Sequence, residues 1–63
     1  MAFAENVKKL REEKGLTQEE LARLVGITQP VIAQYEKGIR IPTIVNGVIL
    51  AQKLGTTCEE LVK

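Results

Sequence analysis

The 63-residue chain contains no histidine, serine, aspartate or tryptophan, and a single cysteine, Cys58. Without Ser, His and Asp it cannot assemble a hydrolytic triad. Without imidazole, and with one thiol, the usual zinc ligand sets and His-based acid–base chemistry are out of reach. Six of the eight glutamates fall in adjacent pairs, Glu12–Glu13, Glu19–Glu20 and Glu59–Glu60. These are helix-surface positions, where solvation and the positive end of a helix account for them without a reactive partner. A glycine-rich phosphate loop is also missing. The chain therefore reads as a non-enzyme with no metal and no cofactor. A lone cysteine cannot close an internal disulfide, which fits a reducing cytoplasm. No apolar run approaches the ~20 residues of a membrane span, and MAFAENVKKL lacks the order of a signal peptide. A cytoplasmic protein with no membrane partner is expected.

Apolar residues make up 44% of the chain and charged residues 27%, with a net charge of +1 and a pI of about 7.9. That composition supports one small core, so residues 1–63 are read as a single domain. The charge balance is far less basic than the usual nucleic-acid binder. Helical periodicity dominates. Phe3, Val7 and Leu10 recur at i, i+4 and i+7 and predict a helix over Phe3–Lys14, stopped by Gly15. Further helices are expected at Thr17–Val25, Gln29–Glu36 and Thr43–Leu54, the last with a core stripe of Ile44, Val48, Leu50, Ala51 and Leu54. Thr57-Cys58-Glu59-Glu60 has the form of a capping box and opens a short fifth helix. No segment alternates as a strand does, so the fold class is all-α with five helices.

The segment Thr17–Gly38 carries the most information. Thr17 and Glu20 make a capping box, Leu21, Ala22, Leu24 and Val25 follow at helical spacing, and Gly26 suits a left-handed C-cap. Thr28 is placed to cap a second short helix with Pro30 in its first turn, where a missing N–H costs nothing. On that helix Ile32 and Tyr35 point one way, and Gln29, Val31 and Gln34 point more to the other. Two capped helices around a glycine turn are a helix-turn-helix, the unit that lays its second helix in the major groove of DNA.

The ordered set Leu10-Arg11, Gly15-Leu16-Thr17-Gln18-Glu19-Glu20-Leu21-Ala22, Gly26-Ile27-Thr28-Gln29, Ile32, Tyr35-Glu36-Lys37-Gly38, Pro42, Leu50-Ala51 and Leu54-Gly55 resembles the lambda-repressor and Cro type of helix-turn-helix protein, the XRE-like family. The resemblance covers essentially the whole chain. It implies a compact five-helix domain that binds double-stranded operator DNA, usually as a homodimer on a palindrome, and regulates transcription in a prokaryote, phage or mobile element. It implies base reading by Gln29 and Gln34, whose amides can pair with adenine N7 and N6–H. Thr28 is implied beside them, as a cap that also touches DNA. Phosphate contacts are implied for Thr17, Gln18, Lys37 and Arg40, and a structural ion pair for Arg11 and Glu36. Val31 has two readings: its methyls face a thymine methyl in the groove, or they pack at the core margin.

Two features depart from the family pattern. Pro30 stands where many relatives carry a polar base-contacting residue, so reading at that step would be by shape. Val45 and Ile49, with Ile41 just before, form a second apolar stripe on the fourth helix. That stripe is either a dimer interface or is covered by the first or fifth helix. Gly47, within the core stripe, leaves room for a close backbone approach. The expected activity is repression by a stand-alone dimer with no small-molecule ligand. The alternative is an antitoxin-like or adaptor protein that uses the same fold chiefly to hold another protein.

Overall fold

Threonine caps set most of the helix starts. The computed structural model describes residues 2–63 and contains α1 (Phe3–Glu13), α2 (Gln18–Val25), α3 (Gln29–Lys37), α4 (Ile44–Lys53) and α5 (Cys58–Leu61), with no strand among those residues. At α2 the capping box is complete: Thr17 Oγ1 accepts from the Glu20 N–H at 3.0 Å, and Glu20 Oε1 accepts from the Thr17 N–H at 2.8 Å. Thr43 Oγ1 accepts from the Asn46 N–H at the start of α4. Thr57 does the same for Glu60 at α5, but the Glu60 carboxylate turns to the Lys63 ammonium, 3.3 Å away. The second box is therefore half formed.

One core joins the helices. Phe3 and Val7 of α1, Leu21, Ala22 and Val25 of α2, Ile32 and Tyr35 of α3, Leu50, Ala51 and Leu54 of α4 and its end, and Leu61 of α5 are buried together. Each large aliphatic side chain removed from water there contributes roughly 1.5–3 kcal/mol. Phe3 meets Tyr35 edge-to-face at 5.9 Å between ring centroids and so ties α1 to α3. Asn6 donates to the Leu61 carbonyl at 2.9 Å and the Glu60 carbonyl at 3.3 Å, holding the four-residue α5 against α1.

Helix α4 departs from its expected face. Its inward line is Gly47, Leu50, Ala51 and Leu54, whereas Ile44 and Val48 are 87% and 42% exposed. Apolar residues occupy more of this helix's circumference than the core covers, so periodicity could not select the buried arc. Ile49, expected on an exposed stripe, is half-buried and packs against the core. The reason is that α4 is flanked by both α2 and α5, which covers more than one side of it. Ile41 and Val45 are 70% and 67% exposed. Gly47 meets a side chain, not a backbone: a Cβ built there would lie 3.7 Å from Pro42 Cγ and 4.0 Å from Cys58 Sγ.

Candidate nucleic-acid interface

The turn between α2 and α3 is made by Gly26, Ile27 and Thr28. Gly26 adopts φ 87°, ψ 27°, and the N–H groups of Gly26 and Ile27 both reach the Ala22 carbonyl, at 2.8 and 2.9 Å. Only glycine takes that left-handed conformation without a Cβ penalty. Ile27 then packs against the core and fixes where α3 begins.

Thr28 occupies the N-cap position of α3, but its side chain makes no capping hydrogen bond. A capping hydroxyl accepts from the second or third helical N–H. Here the second residue is Pro30, which has none, and the third N–H, of Val31, reaches the Thr28 carbonyl at 3.1 Å. The expected capping role is thereby corrected, and the Thr28 hydroxyl stays exposed and uncommitted to the helix.

Helix α3 buries Ile32 and Tyr35 and exposes Gln29, Pro30 and Lys37, with Ala33 and Gln34 half-buried on the outer side. Val31 is half-buried against the core, so the core-margin reading holds. At 100° per residue it lies about 160° around the helix from Gln29 and about 60° from Gln34, so it is set apart from the Gln29 edge. Pro30, expected there as a residue that reads by shape, and Ala33, which the glutamine pattern did not reveal, fill the outer face between Gln29 and Gln34.

A hydrogen-bonded chain runs from the interior to this surface. Arg11 Nε and Nη2 donate to the two carboxylate oxygens of Glu36 at 2.6 and 3.1 Å, and Arg11 Nη1 donates to the Leu16 carbonyl at 2.6 Å. The side chains of Arg11 and Glu36 are 11% and 4% exposed. Gln18 Nε2 donates to Glu36 Oε1 at 3.0 Å, and Gln29 Nε2 donates to Gln18 Oε1 at 2.8 Å. At the other end of α3, Arg40 Nη1 donates to Gln34 Oε1 at 3.2 Å. Sequence reasoning paired Glu36 with Arg11 alone. Its second bond, to Gln18, depends on α1, α2 and α3 meeting at one point and has no local signature.

The electrostatics suit an anion despite the near-neutral chain. The hydrogen bond to Glu36 holds the Arg11 pKa above its ordinary value against the opposing effect of burial, so the pair is a closed unit with no net charge. Glu19 is matched by Arg23 at 3.2 Å. Lys37 and Arg40 stand exposed at the end of α3 and beyond it. At the start of α2 the capping box engages the N–H groups of Thr17 and Glu20, leaving those of Gln18 and Glu19 directed out of the helix end, where a phosphate oxygen can be received. The box's backbone and hydroxyl hydrogen bonds from Thr17 lower the Glu20 pKa.

A second surface lies on the far side of α4. Phe3, Ile41, Pro42, Ile44, Gly47 and Val62 line an apolar groove of about 230 Å³, with Ile44, Val45 and Val48 exposed beside it.

A family model described as Helix-turn-helix matches residues 7–61. An uncharacterised HTH-type transcriptional regulator of Sinorhizobium fredii is 46% identical over 57 residues, which cover 90% of this chain and 74% of that protein. The restriction-modification controller protein C.AhdI of Aeromonas hydrophila superposes with a TM-score of 0.88 at 37% identity, over 95% of this chain and 91% of that one. The P22 c2 repressor, solved in complex with a synthetic operator, superposes with a TM-score of 0.94 over 97% of this chain and 92% of that one. At 23% identity this is a likeness of fold. With a match running from α1 through α5, the chain belongs to the helix-turn-helix family of DNA-binding transcriptional regulators.

Proposed function

We propose that the chain binds a palindromic operator as a homodimer, one α3 in each of two major-groove half-sites, and represses transcription. The observation that carries this is the outer face of α3, where Gln29 and Gln34 have their amides held by neighbouring polar groups. A solvated helix face has no need of such bracing. Gln29, Gln34 and Thr28 are the reading residues, with Pro30 and Ala33 contributing shape. Gln18, Lys37 and Arg40 hold phosphates, while Thr17, whose N–H and hydroxyl both serve Glu20, shapes the helix end beside them and is not itself a phosphate ligand. The solved complex of the P22 c2 repressor with an operator supports this docking mode by likeness of fold. No catalytic step, metal, cofactor or small-molecule effector is part of this reading.

The dimer forms through the exposed apolar surface of Ile41, Ile44, Val45 and Val48. Ile49 supports that surface from the core side. With roughly 4–6 phosphate contacts per dimer, the logarithm of the binding constant should fall with log salt at a slope of about −4 to −5.

Selection of bound duplexes from a random pool tests the reading. A palindrome is the expected product, and an unenriched pool would overturn it. The apolar groove beside Ile44 favours one second reading, an adaptor or antitoxin-like protein that holds an unrelated chain there. Co-purification of such a chain, together with an unenriched pool, would establish that alternative.

A further inference from the structure

Each link of the chain Arg11–Glu36–Gln18–Gln29 has a direction. A carboxylate only accepts hydrogen bonds, so Gln18 can face Glu36 with its NH₂ end alone. Its carbonyl must then point the other way, toward Gln29, and Gln29 must answer with its own NH₂, as the 3.0 and 2.8 Å contacts show. What Gln29 has left for DNA is a carbonyl and one N–H in a set order. Glu36 itself cannot turn, because Arg11 grips both of its oxygens.

Resting on the DNA-reading role proposed above, we infer that Glu36 is a specificity-determining positioning residue: it sets the donor–acceptor order that Gln29 presents to the base edge. A freely rotating amide satisfies base edges with donor and acceptor in either order, whereas a fixed one accepts a single order. Glu36 touches no base and acts through Gln18.

The conservative variant Glu36→Gln makes a directional prediction. Arg11 Nε donates to Oε2, and Arg11 Nη2 and Gln18 Nε2 both donate to Oε1, so an amide in place of the carboxylate must set its NH₂ against a donor whichever way it turns. The relay then loses its fixed direction, and Gln29 is free to present the opposite order. The step it reads is located as the one position per half-site where Gln29→Ala loses base preference.

At that step the wild type should prefer one base pair by about five-fold or more, the lower range of a good bidentate contact. Glu36→Gln should transfer that preference to another base pair or reduce it to within about two-fold, with the remaining steps unchanged. Pairing it with Arg11→Met removes an uncompensated cation if the single variant fails to fold. Gln18→Ala leaves the Arg11–Glu36 pair intact and should flatten preference at the same step while weakening binding to every sequence. A wild-type protein that selects no sequence would overturn the DNA reading and this assignment together. A wild type that selects a motif, with Glu36→Gln and Gln18→Ala keeping its preference at the Gln29 step, would overturn the assignment alone.

Discussion

Two glycines of this domain have opposite mutational signs. Gly26 sits at φ 87°, and any Cβ there costs about 1 kcal/mol in backbone strain. Gly47 lies inside α4, where a Cβ would make ordinary contacts with Pro42 and Cys58 at 3.7 and 4.0 Å. Gly47→Ala should therefore stabilise the fold by about 0.5–1 kcal/mol, read as a rise of a few degrees in Tm, and a lowered Tm would refute it. Glu20 supplies a second test at this scale. The Thr17 hydrogen bonds lower its pKa in the folded state, so its contribution is present above the unfolded value and is lost as pH falls through the folded one. A carboxyl-carbon NMR titration should find its midpoint below that of an ordinary glutamate, and Thr17→Ala, which removes the hydroxyl but keeps the backbone N–H, should move it only part of the way back.

Among elements, the Arg11–Glu36 pair joins α1 to α3 and reaches Leu16 ahead of α2. Removing one member strands a largely buried charge, at a cost of about 3 kcal/mol or more. That is a large share of the stability of a domain this size. Arg11→Ala should show it in denaturant unfolding, and Arg11→Met/Glu36→Met should recover most of it. The same elements show how far the residues themselves could be read. Thr17–Glu20, Gly26, and the Ile32–Tyr35 face were legible because caps, left-handed turns and helical spacing act over a few residues. The inward arc of α4 was not, because Ile44, Val45, Val48 and Leu50 are alike in chemistry and differ only in what α2 and α5 leave uncovered. Nor was the Thr28 hydroxyl, since Pro30 offers it no N–H and the Val31 N–H turns to the Thr28 carbonyl instead. The Gln18–Glu36 bond was hidden for the simplest reason: it is tertiary.

Over the whole molecule, 24 × 22 × 20 Å in extent, charge and apolar surface are divided between opposite tasks. A net charge of +1 gives one copy little hold on a duplex, so affinity in the proposed complex comes from engaging two half-sites at once. Val45→Glu, at a position 67% exposed, should leave helicity intact while converting the dimer to a monomer in sedimentation. It should also weaken binding to the palindrome by about 100-fold, the lower range for loss of bivalency. A dimer that persists in that variant would place the interface elsewhere.

The two ends of the reading helix are anchored to very different things, and this has an evolutionary consequence. Gln29 traces back through Gln18 to a pair inside the fold, whereas Gln34 is braced, among the described residues, by Arg40 in an exposed loop. Changes around Gln34 and Arg40 touch no core contact and should stay within about ±0.5 kcal/mol of stability. Changes in what orients Gln29 disturb the interior. Lineages of this regulator should thus acquire new operators from the Gln34 end first, with the base read by Gln29 the slower to drift.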